Sequence, residues 1–237
     1  MQSNNENRTF YQVRQTPFAA SSLARSMSMV YFWMMLGIIT TAVVAIATAM
    51  QPAFQQLIFS SRLYFYGLLI AQFGLVIALS AMNKRLNFPT AFALYFAYAA
   101  LSGLTLSIIF VVFQLTSIIQ VFVGTSAGFL GLSLFGALTK RNLTAIGTFC
   151  LYGLFGMIGL MLLAIFIPSL RTEMASLVFS GMLVVVFAGL TAYDTQKIKA
   201  QLAQDASQAT AISGALTLYL DFINLFLNLL RLFGKQR

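Results

Sequence analysis

The chain has 237 residues, 59% of them hydrophobic and 8% charged. An ordinary soluble domain carries about 25% charged residues, so that class is excluded, and the length suits one helical membrane domain. The net charge of +9 comes from basic residues scattered in ones and twos between apolar runs, with no basic patch mixed with aromatics, so nucleic acid is not an expected partner.

Residues 1–28 are polar, with Arg8, Arg14 and Arg25 among Gln, Asn and Ser, and read as an amino-terminal tail. Seven apolar runs follow, each near the roughly 20 residues of a spanning helix: 29–50, 63–82, 90–113, 117–138, 143–167, 174–194 and 210–233. The first is longer than the roughly 7–15 residues of a signal-peptide core and has no convincing cleavage site, so it reads as a retained span. Residues 29–233 are therefore one transmembrane domain, and 234–237 a short carboxyl tail. The runs are continuous rather than alternating, which predicts an all-α membrane protein with seven transmembrane helices and not a β-barrel. Pro52, Pro89 and Pro168 punctuate the runs, and Gly124, Gly128, Gly131, Gly153 and Gly156 predict close helix approach. Cys150 is the single cysteine and lies within an apolar run, so an intrachain disulfide is excluded. His is absent, which leaves no zinc set and no Ser–His pair for a membrane hydrolase.

Connection charges predict orientation. The amino tail holds three Arg; Lys84 and Arg85, Lys140 and Arg141, and Lys197 and Lys199 follow the second, fourth and sixth runs. The alternate connections hold Arg62, nothing, and Arg171 beside Glu173. This bias places the amino terminus and the even-numbered connections in the cytoplasm. Lys235 and Arg237 then end outside if the seventh run spans fully, which its length favours, and inside if it is re-entrant.

The seventh run carries polar residues at helical spacing. Thr210, Gly214, Thr217, Asp221, Asn224, Asn228 and Arg231 are spaced by steps of four and three, one continuous stripe on a helix. Asn and Thr alone can be interhelical glue. Asp221 adds a carboxylate, which costs roughly 2.5–3.5 kcal/mol at the bilayer centre and marks a functional site by default. Asp194 ends the sixth apolar run, and Arg85 ends the second, so topology puts both near the cytoplasmic mouth. Taken singly, Asp194 also reads as an interfacial charge beside Lys197, and Arg85 as a topogenic charge. If Asp194 and Asp221 meet, like charge and desolvation make the pair share a proton. Deprotonated, two carboxylates with Asn or backbone oxygens suit a hard cation such as Ca²⁺, bound or permeant.

At these residues the chain resembles the Bax inhibitor-1 family (Bax inhibitor-1/YccA type), and its pattern is most similar to bacterial members. The resemblance rests on Ala215-Leu-Thr-Leu-Tyr-Leu-Asp-Phe-Ile-Asn-Leu-Phe-Leu-Asn-Leu-Leu-Arg-Leu-Phe-Gly234 and on Gly189-Leu-Thr-Ala-Tyr-Asp-Thr-Gln-Lys-Ile198. Ala100-Leu-Ser-Gly-Leu-Thr-Leu106 matches more weakly. It implies a last helix central in a bundle of six and a bacterial inner-membrane location. It also implies a pH-sensitive Ca²⁺ leak with Asp194 and Asp221 as the paired aspartates. The family's latch arginine falls on Arg85, with Lys84 one residue away. Some relatives interact with a membrane protease through their amino tail, and residues 1–28 are long enough for that. The expected activity is transport and not enzymology: a two-aspartate membrane protease needs a Gly-x-Gly-Asp context that neither acid has. A regulator of membrane proteolysis or stress without transport, and a proton-coupled transporter, are the alternatives.

Overall fold

The computed structural model describes residues 17–51, 53, 56, 62–81, 87–164, 166–167 and 172–237. Its helices are α1 (Pro17–Ala49), α2 (Arg62–Ala81), α3 (Phe88–Leu106), α4 (Ile109–Val112), α5 (Leu115–Leu138), α6 (Thr144–Leu163), α7 (Glu173–Gln204) and α8 (Gln208–Phe233). No strand occurs among the described residues, and an isolated antiparallel bridge joins Phe113 to Gln236. Six stretches of the described residues are long and apolar enough to cross a membrane: Ser21–Ala49, Phe88–Val112, Leu115–Leu138, Thr144–Leu163, Glu173–Gln204 and Gln208–Phe233. The Tyr66–Leu79 part of α2 is a shorter apolar helix.

Two helices outrun their apolar runs. α1 is already helical from Pro17, the first described residue, well ahead of residue 29. Met27 and Val30 on this stretch are already buried. α7 continues past Asp194 to Gln204. Ile198 and Leu202, one turn apart, keep an apolar seam buried while Lys197 stays exposed. The third run is interrupted instead. Ser107 bonds back to Leu104 O, α3 ends, and the short α4 leads to extended backbone at Phe113 and Gln114.

α8 packs on α7, α1, α5 and α3, and α2 packs on α3. In α8, 61% of the apolar window is buried, against at most 44% in any other span, so this helix faces protein on most sides. α6 is the opposite case, with Phe149, Tyr152 and Phe155 exposed as a lipid-facing surface would require. Buried hydroxyls tie the helices together. Thr41 Oγ1 donates to Ala99 O at 2.9 Å, which leaves Tyr219 as the donor in its 2.7 Å bond to Thr41. Ser133 joins Tyr31 at 2.6 Å and Thr195 at 2.9 Å, linking α1, α5 and α7.

The glycine expectation needs correcting. A Cβ at Gly124, Gly128, Gly131 or Gly156 would meet nothing within 4 Å, and one at Gly153 would make ordinary contact with Val186. Close approach occurs at Gly136, where a Cβ would run into the backbone of Ala192, and at Gly103, where it would press on Thr41 O at 2.7 Å. Spacing shows small residues but not which face is packed.

Each end of the bundle is fastened. At one end Lys199 Nζ donates to Ala137 O at 2.6 Å, placing a cation on the last turn of α5. Gln196 bonds Arg141 O and Leu143 N across the α5–α6 connection, both at 2.9 Å. At the other end Gln114 N donates to Lys235 O and Arg237 N to Val112 O, both at 3.0 Å, while Lys235 N donates to Ser117 Oγ at 2.9 Å. α8 thus crosses the full height of α5, and residues 234–237 lie at the end opposite the α5–α6 connection.

Candidate functional site

α7 and α8 are joined by the short Asp205–Ser207 connection, so they run antiparallel and can be measured from a common end. Asp194 lies about 15 Å up α7 from Gln204 and Asp221 about 20 Å up α8 from Gln208, at 1.5 Å per residue. The continuation of α7 therefore moves Asp194 away from the mouth where its apolar run had placed it, and toward the level of Asp221.

The two acids line one cavity of about 520 Å³ between α6, α7 and α8, with Lys197, Thr217, Leu220 and Asn224. Asp221 is 4% exposed, and its Oδ2 makes no hydrogen bond. A buried polar atom left unpaired is costly, and in a native site it calls for an explanation. Asp194 is half-buried on the same cavity. Lys197, one turn beyond Asp194, lines the cavity too, and its Nζ lies 5.8 Å from the Tyr193 ring centroid.

A second cavity of about 790 Å³ lies toward the other end of α8, among α2, α3, α4 and the first turn of α7. Gln72, Ser102, Glu173, Asn224, Arg231 and Gln236 are among its polar lining residues. Ser102 is buried beside the hydroxyls of Tyr98 and Tyr219, yet its Oγ makes no hydrogen bond of acceptable geometry. The two linings have two residues in common, Leu220 and Asn224.

The polar stripe of α8 is thus divided. Thr217, Asp221 and Asn224 face the first cavity, Asn224 and Arg231 the second. Asn228 lines neither; it is buried, and its Nδ2 donates to Asn224 O at 2.8 Å. Gly214 packs on Ile198 and Val30, and Thr210 donates to Asp205. Thr217 donates to Ser213 O and Asn224 to Leu220 O within α8 itself, so these donors do not bridge helices. Arg85 and Lys84 lie outside the described residues, as do residues 1–16 of the expected tail. Sequence reasoning missed Leu220, Ser102 and Gln72, for nothing in a Leu, a Ser or a Gln within an apolar run signals a cavity wall.

Among the described residues, no group of three or more His, Cys, Asp or Glu side chains is placed to hold a metal ion. Asp194 and Asp221 offer two carboxylates, and Thr217 and Asn224 one neutral oxygen each. Ca²⁺ takes 6–8 oxygens. With both carboxylates bidentate these side chains reach the lower end of that range, and water would supply any remaining ligands.

Apolar helices around a deeply buried α8, with acids facing internal cavities, define a polytopic membrane protein. The family model described as "Inhibitor of apoptosis-promoting Bax1" matches residues 23–237. The inner membrane protein YbhL of Escherichia coli (strain K12) is 44% identical over 223 residues, covering 92% of this chain and 94% of that protein. An uncharacterized protein of Borreliella burgdorferi is 39% identical over 213 residues, covering 88% and 90%. One of Deinococcus radiodurans is 39% identical over 216 residues, covering 89% and 90%. The chain belongs to the Bax inhibitor-1 family of integral membrane proteins.

Proposed function

We propose that this chain is a passive cation leak of the bacterial inner membrane, with Ca²⁺ as cargo, gated by the Asp194–Asp221 pair. The observation that supports the reading is the shared cavity. Two carboxylates from antiparallel helices face one space, and one of them has an oxygen with no hydrogen bond. The cost of burying it is relieved by a proton or by a cation, and the two compete for the same oxygens. With the proton shared, the pair is held together and the path is shut. With it lost, the pair repels and becomes a station for a hard cation. The route runs along the polar face of α8 through both cavities, in a seven-span bundle with α8 as its axis and the amino terminus in the cytoplasm. Arg85 is the latch in this reading, and no bond is made or broken in a substrate. The bilayer and Ca²⁺ are the partners that the reading requires.

The test is flux in liposomes carrying the purified full chain, with reporters for Ca²⁺, K⁺ and H⁺. Ca²⁺ flux without an imposed proton gradient, varying with pH, is expected. Obligate coupling to protons would make the chain a transporter. Absence of flux at every pH would leave the regulator of membrane proteolysis as the better reading.

A further inference from the structure

The linings of the two cavities share one turn of α8. Leu220 and Asn224 are four residues apart, on the same face, and both line the two spaces. On one side are the carboxylates of Asp194 and Asp221; on the other, Arg231 and Glu173. A path from one cavity to the other along α8 would pass an apolar leucine and an amide.

The orientation of that amide is set by its neighbour. Asn224 approaches Leu220 O at 2.8 Å, and a carbonyl oxygen accepts only from a donor, so the NH₂ group faces Leu220. The Nδ2 is thereby held on the helix, and the acceptor Oδ1 is the end of the amide left for a cation. Asn228 makes the same bond one turn on but lines neither cavity. Neutral oxygens strip water from an ion without holding it strongly, and conduction needs binding weak enough for the ion to leave.

We propose that Asn224 is the specificity-determining residue at the neck between the cavities, its Oδ1 standing in for a water ligand as a metal cation passes. This deepens the leak reading and rests on it. It assigns the choice among cations to a neutral oxygen one turn from the carboxylates and leaves the response to pH with the carboxylates.

The experiment compares wild type, Asn224→Asp, Asn224→Ser and Asn224→Leu in liposomes, reading the Ca²⁺:K⁺ permeability ratio and, separately, the pH midpoint of flux. Asn224→Asp puts a third carboxylate at the neck, and the ratio should shift by roughly tenfold or more as Ca²⁺ is held and K⁺ excluded. Asn224→Ser keeps an oxygen and should retain flux with a smaller change of ratio. Asn224→Leu removes the oxygen and should lower flux at least tenfold in protein that still elutes as a single species. If that variant does not fold, the Asp and Ser ratios decide alone. An unchanged ratio in Asn224→Asp, in protein that still conducts, overturns the proposal and leaves the leak reading standing. A wild-type chain without flux removes both.

Discussion

Asp221 and Asp194 share a cavity, but their burial differs, and so do the expected costs of replacing them. Asp221→Asn keeps the volume and removes the possibility of charge. At alkaline pH, where the buried acid would otherwise ionise, this should raise stability by on the order of 1–3 kcal/mol, read as a higher midpoint of thermal unfolding in detergent. Its pH dependence of Ca²⁺ flux should flatten, as should that of Asp194→Asn, and the double variant should add little because the pair acts as one unit. Wild-type pH profiles in both single variants would sink the shared-proton gate. Arg85 can be weighed against its neighbour. A guanidinium presents a fixed fork that lysine lacks, so Arg85→Ala should raise basal leak several-fold, a change on the order of 1 kcal/mol, while Lys84→Ala changes it little. Equal leaks from the two variants would remove Arg85 from the gate.

At the scale of the element, α8 depends on its start. Ser207 caps it, its Oγ accepting from Thr210 N at 3.2 Å. Asp205 accepts from Thr210 Oγ1 at 2.6 Å and from Ser207 Oγ at 3.0 Å. Those hydroxyls, that of Thr210 foremost, hold the Asp205 carboxyl below the ordinary carboxylate range. A depressed value means that the stabilisation is present above the ordinary value, near 3.9, and is lost as pH falls through the lower folded one. Ser207→Ala should cost about 1 kcal/mol, seen as a lower midpoint of thermal unfolding at pH 7. Asp205→Asn should remove the part of the acid sensitivity that belongs to this connection. Helices were legible where an apolar run and a helix coincide, as in 115–138. They were misread where the helix leaves the apolar layer, as in α1 and α7. There a seam of Ile198 and Leu202 carries the helix onward among lysines, and hydropathy averages that seam away.

Taken whole, the described amino-terminal part of α1, with Tyr31 on Ser133 and Val30 beside Gly214, lies toward the end of the bundle opposite residues 234–237. Residues 234–237 bond to the α4–α5 connection, and Lys199 and Gln196 bond to the α5–α6 region at the far end of α5. If the amino terminus is cytoplasmic, as proposed, a reporter fused after Arg237 should be active only outside the cytoplasm. Cytoplasmic activity of that fusion would contradict a full crossing by α8. The carboxyl end could not be placed from charge, since Lys235 and Arg237 are too few to set topology against the length of the last run.

Composition and run length determined that this is a helical membrane protein, because burying backbone in lipid permits little else. The three–four spacing determined that Asp221 shares a face with Thr217 and Asn224, because helical period is a property of the local chain. Tertiary structure alone decided which face looks into a cavity and which packs. Gly136 is pressed on Ala192 while Gly128 is not; Asn228 is buried while Asn224 lines two spaces. It also decided that Asp194 sits at the level of Asp221, since the length of α7 beyond its apolar run sets that level and is settled by packing against α5 and α8. A spacing pattern names the neighbours along one helix; only the assembled bundle names the neighbours across it.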